Sequence, residues 1–271
     1  MELRKTEIEQ VTAALQSGQS MLVLGEPGAG KSTLGERVSA KLEAEGYTVA
    51  IASYSGSAKE TLIDIAECLD VPIVSDDDKP KQLTAQQLRE SLLGYLTKPK
   101  VLLVADDAHR WTASLRYWLE DILRGKGLLL LLATNPPPKD IFVKLPLVEL
   151  PPLKDDEIRA LMQLEASAHE IKLGTKEFAE LQQRAGNNPA LAKRVVHEAM
   201  LGISETQSTE HYQYIDGTPF LIMLLTCLGI VRLIGLGMGD KMLYVLGGVL
   251  TLAALILRSL LYAANRRSRR L

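Results

Sequence analysis

A short glycine-rich segment, GEPGAGKST at positions 25–33, fits the pattern G-x-x-x-x-G-K-S/T. Its glycines let the backbone bend so that successive N–H groups, and the start of the following helix, face a phosphate. Lys31 is expected to reach the β- and γ-phosphates of ATP, and the Ser32 hydroxyl to hold Mg²⁺. An accidental glycine-rich turn is the alternative, which the flanking apolar strand and helix disfavour. The predicted nucleotide-contacting residues are Gly25, Glu26, Pro27, Gly28, Ala29, Gly30, Lys31, Ser32 and Thr33.

Two carboxylates follow a fully apolar run, VLLVADDAH. In a parallel sheet the end of such a strand lies beside the phosphate loop, so Asp106 is predicted to bind a water of the Mg²⁺ shell. Asp107 would then face the γ-phosphate and polarise the attacking water as a catalytic residue. A strand end capped by two solvated acids is the alternative. His109, two residues on, is interpreted as a partly buried structural histidine rather than a substrate contact.

A polar residue, Asn135, ends the run LLLLLATN. This strand should lie between the strand that precedes the glycine-rich loop and the strand that ends at Asp106. A side-chain amide at its end could position the attacking water by a hydrogen bond, which makes Asn135 a third catalytic candidate beside Lys31 and Asp107. An Asn before three prolines is also ordinary turn chemistry.

Short apolar strands alternate with amphipathic helices through the first half of the chain, with strands predicted at 47–53, 100–109, 127–138 and 142–150. This order predicts an α/β P-loop NTPase with a parallel sheet covered by helices on both faces. After position 150 the pattern is helical only. The predicted domains are an ATPase core at 1–150, a small α-helical lid at 151–202, a linker at 203–219 and a hairpin at 220–271.

The charge is distributed unevenly. Residues 220–271 hold seven of the 31 basic residues and one acid, Asp240, so positions 1–219 have 24 basic and 32 acidic residues. An acidic domain lacks the broad positive field of a nonspecific nucleic-acid binder, although a local basic patch stays an alternative. The N-terminal segment MELRKTEIEQ has no apolar run, so no cleavable signal peptide is expected.

Two apolar segments near the C-terminus, 220–238 and 242–257, are each close to the length that crosses a bilayer. A Gly-Asp-Lys turn separates them, and a basic tail, RRSRR, follows. The positive-inside rule places that tail in the cytoplasm. The sequence therefore predicts two transmembrane helices in a bacterial inner membrane, with the ATPase domain and both termini cytoplasmic. A buried hairpin of a soluble domain is the alternative. The role of Arg232 inside the first segment stays open between snorkelling and pairing.

The order of these motifs resembles that of the AAA+ ATPases. GEPGAGKST is similar to Walker A, DDAH to Walker B and Asn135 to sensor 1, and PPLKDDEIRALMQ with AGNNPALAKRV is similar to a helical lid. The closest likeness is to the branch of the ExeA/GspA secretion ATPases and TniB/TnsC transposition ATPases. The resemblance covers about residues 1–200. It implies ATP-dependent self-association into rings or filaments that act on a partner.

Three features depart from that family's pattern. Asp107 stands where Glu is more frequent, and Ala190 stands where an arginine often follows the lid proline. Arg194, or its neighbour Lys193, is the candidate for the lid cation that contacts nucleotide. The segment after Asn135 has no arginine. The candidates for an intersubunit arginine finger are therefore Arg110, Arg116 and Arg124, which are equally well explained as solvated surface charges.

The sequence thus supports a leading function and two alternatives. The leading one is a membrane-anchored Mg-ATP-dependent ATPase that assembles and remodels or organises a protein complex at the membrane. The first alternative is a slowly hydrolysing nucleotide-dependent scaffold. The second is a DNA-associated ATPase of the transposition type, which the acidic domain and the hairpin disfavour. The membrane-protein client is not identifiable from the sequence.

Overall fold

The computed structural model describes residues 3–75, 81–169 and 174–202, and in the C-terminal segment residues 237–239, 241–242, 244–245, 247–249 and 251. The chain divides into two units, Met1–His211 and Tyr212–Leu271. The predicted linker lies outside the described residues, as does most of the predicted hairpin. Within the described residues no helix is both long and apolar enough to cross a membrane.

Five parallel strands form the sheet of the first unit. They are β1 (Met21–Leu24), β2 (Thr48–Ala52), β3 (Val101–Ala105), β4 (Leu128–Ala133) and β5 (Leu147–Glu149). Their order across the sheet is β2-β3-β4-β1-β5. The predicted parallel sheet is confirmed, and β4 does lie between β1 and β3, with Leu22 opposite Leu131 and Val104 opposite Leu130. All five strands therefore end at the same edge.

Eight α-helices accompany the strands in the described part of the first unit. Helices α1 (Lys5–Gln16) and α2 (Lys31–Ala44) cover one face of the sheet, and α3 (Ala58–Cys68), α4 (Ala85–Leu96) and α5 (Ala113–Arg124) cover the other. Helices α6 (Asp155–Ala168), α7 (Thr175–Ala185) and α8 (Pro189–Met200) follow β5.

Alternation along the central strands explains their unbroken apolar sequences. Leu103 and Leu131 face the core under α3–α5, whereas Leu102 and Leu130 face the core under α1 and α2. Every residue of β3, and every residue of β4 after Leu128, is buried, so a polar residue at any of these positions would lose its hydration without a partner. The helices α6–α8 have a separate core of their own, which includes Ile158, Met162 and Val196.

The last predicted strand, 142–150, begins later than expected. Residues Asp140–Val143 form a 3₁₀ turn, and only Leu147–Glu149 pair with β1. Ile141 and Phe142 are buried in the core under α3–α5. Proline at position 146 has no N–H for a sheet ladder, although its carbonyl accepts from the Leu22 N–H. Core packing of Ile141 and Phe142, together with this proline, therefore explains why the strand begins only at Leu147.

A substitution at Gly127 would test how tightly the chain packs just before β4. A Cβ placed there would lie 2.4 Å from Ile122 Cγ2 and 2.8 Å from the Leu96 carbonyl oxygen. We expect Gly127→Ala to lower the free energy of unfolding by about 1–3 kcal/mol, as overpacking does. Gly94 lies in α4 with nothing near its added Cβ. Gly94→Ala is the matched control and should leave stability unchanged or raise it by up to about 1 kcal/mol. Denaturant unfolding of both variants measures this, and equal stabilities would contradict the packing argument.

Candidate nucleotide site

The glycine-rich loop connects β1 to α2 at the edge where the strands end. Gly28 and Gly30 have φ angles of +77° and +90°, which a side chain rarely permits. Gly30 is the N-cap of α2, so the positive end of the helix dipole opens into this loop. The loop thus has the backbone geometry that a phosphate-binding turn requires.

Lys31 is buried within this loop. Its Nζ donates to the Gly25 carbonyl at 3.0 Å and to the Glu26 carbonyl at 2.9 Å. Burial lowers the pKa of the Lys31 ammonium, whereas the charges of Asp107 and then Asp106 raise it. The pKa is lowered on balance, so the two carboxylates offset only part of the cost of burying this positive charge.

The two acids after β3 lie beside the loop, as the sequence predicts. Asp106 Oδ1 accepts from the Asp107 N–H at 2.9 Å. Asp107 has φ +45°, a conformation that Asp and Asn tolerate better than Glu. This backbone requirement gives a physical reason for aspartate at a position where the ATPases that the motif order resembles more often have glutamate. Asp107 Oδ2 is 3.4 Å from a terminal nitrogen of Arg110.

At the end of β4 the structure differs from the expectation. Thr134, rather than Asn135, lines the cavity next to the loop. The Thr134 hydroxyl donates to the Gly25 carbonyl at 3.1 Å, and its N–H donates to His109 Nδ1 at 3.2 Å. Asn135 is exposed with φ +46°, so it turns the chain into the three prolines. Asn135 is therefore explained by its role in the turn. Thr134 occupies the place beside the glycine-rich loop that the sequence analysis assigned to Asn135.

Helix α8 reaches the loop through Asn188, which the sequence reasoning missed. This residue is 6% exposed. Its Nδ2 donates to the Pro27 carbonyl at 2.8 Å, and its Oδ1 accepts from the N–H groups of Ala190 and Leu191. A Cβ at Gly28 would lie 2.7 Å from the Ala190 Cβ, so only glycine allows this approach. The signal in the sequence was an Asn N-cap before a proline.

Arg4 is a second functional candidate that the sequence did not single out. Its Nε donates to the Ala29 carbonyl at 3.1 Å, and one terminal nitrogen lies 3.8 Å from Glu7 Oε1. Neither terminal nitrogen has a hydrogen-bond partner within the described part of the chain. Burial lowers the pKa of this guanidinium, against the charges of Glu7 and Glu157, which raise it. Arg4 thus supports the loop from the side of α1.

The loop, the ends of β3 and β4, and the start of α8 enclose a cavity of about 460 Å³. Its lining residues are Pro27, Gly28, Gly30, Lys31, Ser32, Thr33, Asp107, His109, Arg110, Thr134, Pro189, Ala190 and Lys193. The structure therefore brings together most of the predicted site. The predicted residues that are not among the lining residues are Gly25, Glu26, Ala29, Asp106, Asn135 and Arg194.

The remaining arginine candidates have different surroundings. Arg194 Nε donates to Glu198 Oε1 at 2.7 Å, and Lys193, not Arg194, lines the cavity. Arg116 is buried and pairs with Asp140 at 3.1 Å. Removing one partner would leave an uncompensated buried charge, which makes Arg116 structural. Arg124 pairs with Asp121 at 2.6 Å. Arg110 is exposed and lines the cavity.

Comparisons with known proteins agree with this geometry. Residues 14–142 match the family model described as an AAA domain. No curated protein matches the sequence. The structure of a DNA replication initiation factor is 14% identical over 84% of this chain and 68% of that chain, with a TM-score of 0.52. The replication initiator DnaA, bound to AMPPCP and single-stranded DNA, is 14% identical over 84% and 70%, with a TM-score of 0.51.

RuvB of Thermotoga maritima has a similar fold. One variant of that protein is 15% identical over 76% of this chain and 65% of that chain, with a TM-score of 0.50. The chain thus spans slightly less than two thirds of this RuvB chain. Identities this low show the fold alone. The chain has the α/β fold of P-loop NTPases, and its residues 14–142 are similar to an AAA domain.

His109 offers a pH-dependent test of the site geometry. Burial is the largest effect and lowers the pKa of His109; Asp107 raises it, Arg110 and Lys31 lower it, and Asp106 raises it. Because the charged form is disfavoured in the fold, the stability contributed by neutral His109 is present above the unfolded value of about 6.5 and is lost as pH falls below it. NMR titration of the imidazole should give a midpoint below that of the urea-unfolded chain. An equal or higher midpoint would contradict the burial of His109 beside the cavity.

Proposed function

We propose that this protein is a membrane-anchored ATPase of the AAA+ type. It binds and hydrolyses Mg-ATP, self-associates, and remodels or organises a protein complex at the inner membrane. The observation that carries the proposal is the single cavity lined by the phosphate loop, Asp107 and the start of α8. Such a cavity exposes a bound nucleotide to the loop and to the lid together, so nucleotide state and lid position would be coupled.

The residues of the site suit ATP. The bent loop and the start of α2 supply N–H donors for the phosphates, and Lys31 supplies a cation. Ser32 and Asp106 offer a hydroxyl and a carboxylate, which are the hard oxygen ligands that Mg²⁺ prefers, and the bound ion would neutralise phosphate charge. Asp107 would orient and polarise the attacking water. Thr134, whose hydroxyl contacts the Gly25 carbonyl, is close enough to the loop to help Asp107 orient that water.

Two cations at the cavity extend this assignment. Lys193 of α8 lines the cavity, with its Nζ 3.9 Å from Glu165 Oε2, and is the better candidate for the lid cation than Arg194, which does not line it. Arg110 is 70% exposed beside Asp107. An exposed arginine at the mouth of a nucleotide site is placed to reach the site of a neighbouring subunit, so Arg110 is the best of the three finger candidates.

The membrane anchor and the family branch are also part of the proposal. The segments 220–238 and 242–257 have the length and apolarity of membrane spans, and the RRSRR tail follows them. The lid sequences PPLKDDEIRALMQ and AGNNPALAKRV support the ExeA/GspA and TniB/TnsC branch. The client would then be another membrane protein.

A slowly hydrolysing scaffold is the second candidate. Asp107 has one methylene fewer than the glutamate that is more frequent at this motif position, so its carboxylate extends less far into the cavity. In this case ATP binding alone would recruit partners, and hydrolysis would only reset the assembly.

Point variants separate nucleotide binding from hydrolysis. Lys31→Ala removes the loop cation and should reduce Mg-ATP affinity at least about tenfold, as loss of a charge-assisted hydrogen bond does. Asp107→Asn keeps the size and tolerates the positive φ, so it should bind ATP normally and lose about 100-fold or more in turnover. Calorimetry and phosphate release measure the two effects. Unchanged turnover in Asp107→Asn would contradict its catalytic role and favour the scaffold.

Assembly and anchoring are tested together on the full chain. The protein should remain in membranes after an alkaline wash. After detergent extraction its particle mass should rise to a defined multimer with a slowly hydrolysed ATP analogue but not with Mg-ADP. Lys31→Ala should not show this rise. Release by the alkaline wash would contradict the anchor, and an unchanged mass with nucleotide bound would contradict ATP-dependent assembly.

A further inference from the structure

Three side chains of metal-binding type converge between α6 and α8, and none of them lines the nucleotide cavity, although Glu165 pairs with Lys193, which does. Glu165 and His169 are four residues apart at the end of α6, so they lie on one face of that helix. His197 comes from the last turn of α8. The cluster therefore joins two helices whose residues are 28 or more positions apart in sequence.

The distances between the three ligand atoms are those of one face of a tetrahedron. His197 Nε2 is 3.1 Å from Glu165 Oε1 and 3.1 Å from His169 Nε2, and His169 Nε2 is 3.6 Å from Glu165 Oε1. In a tetrahedral Zn²⁺ site with bonds of about 2.0–2.1 Å, adjacent ligand atoms are about 3.3 Å apart. A single ion can therefore contact all three atoms with little movement of the side chains.

Hydrogen bonding alone satisfies this arrangement poorly. An imidazole Nε2 carries at most one proton, yet His197 Nε2 has two close neighbours in Glu165 and His169. One proton directed at one neighbour leaves the other contact without a well-aligned donor. A cation at the centre would accept electron pairs from all three atoms at once.

The surroundings also suit an ion. The two carboxylate oxygens of Glu165 have different neighbours. Oε2 is 3.9 Å from Lys193 Nζ, whereas Oε1 is the oxygen close to both histidines. The two histidine side chains are 37% and 46% exposed, so an ion has a path from solvent.

We propose that Glu165, His169 and His197 form a Zn²⁺ site with three protein ligands and a fourth position open to solvent. Two imidazoles and one carboxylate are a ligand set that zinc accepts, whereas Mg²⁺ prefers oxygen ligands alone. The bound ion would fasten the end of α6 to α8. Because α8 also contacts the phosphate loop through Asn188, the ion would limit the motion of the element that closes the nucleotide cavity.

Metal binding is measured on the full, tag-free chain after chelator treatment, without nucleotide and with millimolar Mg²⁺ present. Competition with a chromophoric chelator should show one Zn²⁺ per chain, and Co²⁺ should give the visible absorption of a tetrahedral site. His197→Ala and Glu165→Gln should each weaken Zn²⁺ binding at least tenfold, because even loss of a second-shell partner costs about 10–100-fold. His109→Gln is the matched control and should bind Zn²⁺ like the unaltered chain.

Two results would overturn the proposal, and the first needs only the unaltered chain. No stoichiometric Zn²⁺ binding at micromolar metal would refute it, as would Zn²⁺ binding that the double variant His169→Ala/His197→Ala leaves unchanged. Thermal unfolding provides a second measurement if a variant folds poorly. Zn²⁺ should raise the midpoint of the unaltered chain and of His109→Gln, because a ligand that binds the folded state stabilises it. Loss of Zn²⁺ binding with normal ATP binding would leave the proposed ATPase function intact.

Discussion

One buried amide connects the lid to the nucleotide site. Asn188 donates to the Pro27 carbonyl and accepts from two N–H groups at the start of α8. Its side chain therefore caps a helix and binds the phosphate loop at once. The absence of a Cβ at Gly28 allows this contact, since a side chain there would overlap Ala190. Without this close approach the cavity would be open on its lid side, and Lys193 would lie farther from the glycine-rich loop.

The parallel sheet is the second constraint, because it gathers the chemistry at one edge. β4 lies between β1 and β3, so the ends of these three strands bring Gly25, Thr134 and Asp107 to one place. Hydrogen bonds from Thr134 to Gly25 and to His109 connect the strand ends directly. These contacts hold the phosphate loop and Asp107 in a fixed relation before any ligand arrives, which is how a preorganised site reduces the cost of binding.

Much of this arrangement could be predicted from residue type and spacing. The glycine-rich loop, the acids after β3 and the central position of β4 follow from local pattern and from the geometry of parallel sheets. The pattern could not distinguish Thr134 from Asn135, because that depends on the positive φ at Asn135. Nor could it show Asn188, Arg4 or the Glu165–His169–His197 cluster. These depend on contacts between segments distant in sequence, which periodicity does not report.

Hydrogen exchange of the full chain measures directly whether nucleotide binding is coupled to the lid. Backbone amides are followed with and without a slowly hydrolysed ATP analogue and Mg²⁺. We expect slower exchange in residues 25–33 and, together with it, in residues 187–194 at the start of α8. Slower exchange in the loop with unchanged exchange at 187–194 would contradict coupling through Asn188. Unchanged exchange in both segments would contradict nucleotide binding itself.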